Sequence, residues 1–121
     1  MVLDASVLIA LFHPGDAHHE RIVGALRALR EEFAASSITL AEVLVDAVRV
    51  GDVAEMRGNL RRLGVREVLL GPDAPLRLAE LRVQTGLKLP DCCVLLAAQE
   101  RGDALLTLDA RLDAAAESLG L

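Results

Sequence analysis

The chain has 121 residues, enough for one domain with a single proper core, and 53% of them are hydrophobic. Phe12 and Phe33 are its only Phe, Tyr or Trp residues, which argues against the base-stacking platforms that hold single-stranded nucleic acid. A net charge of −5 argues at first sight against a nucleic-acid partner.

In chain order, Val2–Asp4 reads as a short strand and Ala5–Phe12 as a helix ended by His13-Pro14-Gly15. Asp16 is expected to cap a second helix running to about Leu29. Glu32–Ala35 reads as a strand, and Ser36 or Ser37 caps a helix that Gly51 terminates after Val50. Asp52 opens the next helix, to about Leu63, and Gly64 closes it. Val65–Leu70 alternates like a strand before Gly71-Pro72 breaks it. Ala74–Thr85 is an amphipathic helix, and Gly86-Leu87-Lys88-Leu89 is a connector. Pro90 suits the first turn of a helix over Asp91–Arg101, which is apolar nearly all round from Cys92 to Ala98 and therefore central. Gly102-Asp103 turns the chain into a strand at Ala104–Leu108, and Ala110–Leu119 is the last helix. Strands alternating with helices predict an α/β fold with a parallel sheet covered on both faces, in one domain over residues 1–121.

Four carboxylates interrupt this apolar pattern. Asp4 ends the first strand, Glu42 breaks the run Ile38–Val45, Asp91 precedes the apolar helix, and Asp109 follows Ala104–Leu108. Each also fits a role by itself: Asp4 and Asp109 as helix caps, Asp91 in a favourable helix dipole, Glu42 in the capping box Thr39-Leu40-Ala41-Glu42. Together they point elsewhere. In an open parallel sheet, strand C-termini and the following helix N-termini share one edge, where ligands bind. Like charges brought together there require protonation or a metal. All-oxygen donors favour Mg²⁺ or Mn²⁺ over zinc. Ser6 and Thr107 stand two residues from Asp4 and Asp109 and suit support of a carboxylate or a water.

Setting these acids aside leaves a chain nearly balanced in charge and rich in arginine, with Lys88 its single lysine. Arg57, Arg61 and Arg62 fall at helical spacing, with Arg66 beyond, as a basic face or simply a solvated one. His13, His18 and His19 are expected at the surface. The adjacent Cys92 and Cys93 are expected to be buried reduced thiols. No basic segment precedes Ala5–Phe12 and no run is long enough to span a bilayer, so a cytoplasmic protein is expected.

The segments Leu3-Asp4-Ala5-Ser6-Val7-Leu8-Ile9-Ala10, Ile38-Thr39-Leu40-Ala41-Glu42-Val43-Leu44, Gly86-Leu87-Lys88-Leu89-Pro90-Asp91 and Leu106-Thr107-Leu108-Asp109 resemble, in order and spacing, the PIN domain, and within it the VapC-type toxins. The resemblance covers nearly the whole chain. It implies a three-layer α/β/α fold with four to five strands and about seven helices. It implies that Asp4, Glu42, Asp91 and Asp109 converge on Mg²⁺ or Mn²⁺, with RNA as substrate, a homodimer, and a VapB-like antitoxin as partner. Many members continue past the point matching Gly120-Leu121 into a further edge strand, so only four strands are expected outright. Two other readings remain: a PIN-like scaffold that binds without cutting, and a Mg²⁺-binding phosphoacceptor receiver domain. The receiver reading expects paired acids after the first strand and a late lysine, where this chain has Asp4 alone and Lys88 before Pro90.

Overall fold

The structure, a computed structural model, describes all 121 residues. Its elements run β1 (Val2–Leu3), α1 (Ala5–Phe12), α2 (His19–Ala28), β2 (Phe33–Ser36), α3 (Ser37–Val50), α4 (Val53–Leu63), β3 (Val65–Val68), α5 (Ala74–Thr85), α6 (Leu89–Arg101), β4 (Leu105–Leu106) and α7 (Ala110–Ser118). The sheet order is β3-β2-β1-β4 and every pairing is parallel. It has four strands, the number the sequence leads one to expect outright.

Alternation along the short strands sorts side chains to two faces. Val2, Ala34 and Val68 join one buried cluster with Leu81, Leu95 and Leu112, under α5, α6 and α7. Leu3, Phe33 and Ala35 join the other with Leu8, Ile22 and Val43, under the helices before β3. Two cores separated by one parallel sheet make the three layers. α6 is buried without interruption from Cys92 to Ala98, as its all-round apolar sequence requires, and both thiols are free and buried. No helix is long and apolar enough to cross a membrane.

Several boundaries differ from the sequence expectation. β1 ends at Leu3 and β4 at Leu106, because they pair over only two residues, and β3 ends at Val68, where its pairing with β2 stops at Ser36. β2 runs one residue later, to Ser36. α2 begins at His19 rather than beside Asp16, whose Oδ1 instead accepts from the His18 amide in a turn. α6 begins two residues ahead of Asp91, with Pro90 in its first turn. His13 and His18 are exposed as expected while His19 is half-buried; His13 and His19 direct Nδ1 at the carbonyls of Ile9 and Ala10, completing the end of α1.

Candidate active site

Asp4 is the residue immediately after β1, only 7% exposed. Although it occupies the N-cap position of α1, its carboxylate makes no cap bond to that helix. Instead Oδ2 accepts from Ser6 Oγ at 2.8 Å and from Thr107 Oγ1 at 2.8 Å. Both hydroxyls are themselves fixed. Ser6 Oγ accepts from the Leu108 amide at 3.1 Å, and Thr107 Oγ1 accepts from the Asp109 amide at 3.0 Å. One network therefore joins the ends of β1 and β4, across a sequence separation of 103 between Asp4 and Thr107. Oδ1 of Asp4 has no donor and is not buried, so one oxygen stays open.

Asp109 does cap α7, as one of its two sequence readings expects. Oδ1 accepts from the amides of Arg111 and Leu112, and no donor reaches Oδ2. Asp91 lies in the first turn of α6 and has no hydrogen-bond donor on its carboxylate. Glu42 lies in the second turn of α3, not the first. The expected capping box does not form, because Ser36 caps α3 by accepting from the Thr39 amide at 3.1 Å. Glu42 is thereby left without a structural partner.

The electrostatics tie the four together. Partial burial of the carboxyl raises the pKa of Glu42, and the charges of Asp4 and Asp91 raise it further. Asp91 is raised by partial burial, then by Asp4 and Asp109, while Lys88 and Arg111 pull it down. None of the four acids forms an ion pair. Four segments distant in sequence thus bring carboxylates within electrostatic range of one another, with no ion pair on any of them. No three Asp, Glu, His or Cys side chains close into a ready-made metal cage. Mg²⁺ does not need one, since it keeps several waters and uses one or two carboxylates together with substrate phosphates. The all-oxygen donors, with an open oxygen on each acid, fit that ion and not zinc.

Lys88 and Arg111, which flank Asp91 electrostatically, have no carboxylate partner either, and their placement was not signalled by the sequence. Lys88 stands three residues before Asp91, at the N-cap of α6, and Arg111 two after Asp109 in the first turn of α7. The arginines of α4 divide. Arg57 and Arg61 line an open groove between α3 and α4, Arg62 bonds Asn59, and Arg66 pairs with Glu32.

The profile of the PIN domain matches residues 1–118. The chain belongs to the PIN domain family. No curated protein matches it. Among solved structures, a toxin–antitoxin complex from Klebsiella pneumoniae is 30% identical over 89% of this chain and 85% of its own, with a TM-score of 0.76. VapC20 of Mycobacterium tuberculosis, a sarcin–ricin loop cleaving toxin, is 18% identical with a TM-score of 0.80, over 94% of this chain and 93% of that one. FitAcB from Neisseria gonorrhoeae is 19% identical with a TM-score of 0.73, over 96% and 92%. For the last two the likeness is one of fold. The PIN family's structural neighbours here are thus toxins of toxin–antitoxin systems.

Proposed function

We propose that this PIN domain is a metal-dependent endoribonuclease of the VapC kind, held inactive by an antitoxin and active on RNA in the cytoplasm. The observation that carries the reading is the set of four carboxylates that act on one another's charge while none is held in an ion pair. That arrangement costs stability without a ligand and gains it with a divalent ion.

Asp4, Asp91 and Asp109 would hold the ion, directly or through water, and Glu42 would complete the shell or orient the attacking water. A bound Mg²⁺ or Mn²⁺ supplies positive charge at the phosphate oxygens and lowers the pKa of the attacking water. Ser6 and Thr107 fix Asp4 in one rotamer, so its open oxygen stays aimed at the site. Glu42, whose carboxylate has no hydrogen-bond or ion-pair partner, would be free to accept the proton that water gives up. Water attacks phosphorus in line, the P–O3′ bond breaks, and a proton returns to the departing oxygen. The products carry a 5′-phosphate and a 3′-hydroxyl.

An antitoxin and a second copy of the chain are the partners this reading requires. Apolar side chains left at the surface support them: Ile38, Val45 and Val48 on α3, and Leu76 and Val83 on α5. The test is incubation of a structured RNA pool with purified protein in Mn²⁺ and in EDTA, beside Asp91→Asn. Cleavage is expected in Mn²⁺ alone and only for the unaltered protein, with 5′-phosphate ends. Products ending in a 2′,3′-cyclic phosphate would refute the mechanism, and RNA binding without any cleavage would make the chain a scaffold.

A further inference from the structure

One cleft is linked to the acidic site through Arg111, which lines it and whose charge acts on Asp91. It lies between the end of α5 and the outer face of α7, about 370 Å³ in volume, with Gln84, Thr85, Leu87, Arg111 and Ser118 among its lining residues. Both of its hydroxyls are spent. Thr85 Oγ1 donates to the Leu81 carbonyl, and Ser118 Oγ donates to the Ala115 carbonyl. Arg82, nearby in sequence, is occupied with the carbonyls of Gly86 and Leu87. That leaves the Gln84 amide and the Arg111 guanidinium as donors with no protein acceptor. Arg111 shares the first turn of α7 with Asp109, and Lys88 shares the start of α6 with Asp91, so both cations border the carboxylates.

We propose that Arg111, with Gln84 beside it and Lys88 across Asp91, binds a backbone phosphate of single-stranded RNA next to the one being cut. The inference rests on the nuclease reading of the four acids and deepens it. A chain of net charge −5 needs local cations to hold a polyanion, and unpaired cations at the rim of the site supply them. The planar guanidinium suits two phosphate oxygens at once. The cleft's mixed polar lining suits a sugar–phosphate backbone better than an apolar side chain. Arg111 is a positioning residue here, since it does not touch the reacting phosphorus.

Binding of a short single-stranded RNA to Asp91→Asn protein, followed by fluorescence anisotropy across a salt series, isolates the phosphate contact from chemistry. Adding Arg111→Gln should weaken binding by about tenfold and flatten the log–log salt slope by about 0.7, one phosphate contact on a single strand. Arg111→Lys should keep the slope, because the charge remains. Arg57→Gln, in the separate groove of α3 and α4, should change neither quantity. In cleavage-competent protein Arg111→Gln should raise KM about tenfold with kcat within about twofold. An unchanged affinity and slope in Arg111→Gln would overturn the proposal, as would an equal effect of Arg57→Gln. Loss of antitoxin inhibition with RNA binding intact would also overturn it and assign the cleft to an acidic peptide. If unaltered protein never cuts RNA yet the slope still falls in Arg111→Gln, the nuclease reading fails and the phosphate site stands.

Discussion

Asp4 carries the largest structural investment of the four acids, because two hydroxyls hold one of its oxygens and the other stays open. Thr107→Val removes one donor while keeping the side chain's shape. It should lower Mn²⁺ affinity and cleavage by about 10- to 100-fold with the fold retained, checked by metal titration beside circular dichroism. Glu42 and Asp91 give a prediction of opposite sign for stability. Their folded-state pKa values lie above the ordinary carboxylate value, so the folded chain binds these protons more tightly than the unfolded chain. Stability therefore falls as pH rises from the ordinary carboxylate pKa through the raised one, and stays lower above it. Metal-free Glu42→Gln and Asp91→Asn should each melt higher than the unaltered protein at about pH 7, with the gap closing near pH 4. A lower melting temperature at neutral pH would show that these carboxylates are not in conflict. At this scale the acids were legible because each breaks an apolar run, and Ser6 and Thr107 because they stand two residues away. The capping box was misread because Ser36, three residues upstream of Thr39, competes for the same amide and wins.

α3 shows how one element serves both stability and the site. Ser36 is fully buried, accepts from the Thr39 amide and donates to Thr39 Oγ1. Ser36→Ala should destabilise the protein by about 1–2 kcal/mol in denaturant unfolding, since it strips the cap from a helix start that has no water to replace it. α6 is the apolar spine between the sheet and α5. Leu95 is fully buried there, and Leu95→Ala should cost about 2–5 kcal/mol, read as a lower denaturation midpoint with an unchanged slope. The helices were legible because glycines stop them: the sequence reading ended helices at Gly51 and Gly64, and these, like Gly86 and Gly102, take left-handed backbone. The strands were overextended. A two-residue pairing such as β1 with β4 has no periodicity of its own, and Thr107 leaves the ladder to reach Asp4.

Across the whole molecule, the order β3-β2-β1-β4 places β1 and β4 side by side, so Asp4 and Asp109 follow neighbouring strands at the same edge. α3 follows β2 directly and brings Glu42 to that edge, while α6 crosses the opposite layer and starts beside it with Asp91. This convergence was legible as α/β alternation plus four acids, and the matching PIN profile names the fold it produces. The unpaired Lys88 and Arg111 were not legible, because their importance depends on which chain ends the topology brings together. The four acids set a demand on any antitoxin that covers them: it should present Arg or Lys to them. Replacing that residue by Glu in a co-expressed partner should release ribonuclease activity, and unchanged inhibition would count against it. The most direct test of the account is a calorimetric Mn²⁺ titration of the unaltered protein beside Glu42→Gln and Asp109→Asn. Binding by the unaltered protein, weakened about tenfold or more in each variant, is the predicted result, because residues from α3 and the end of β4 then serve one ion. No binding, or binding indifferent to both substitutions, would contradict the account and return the four acids to separate lives as caps and surface charges.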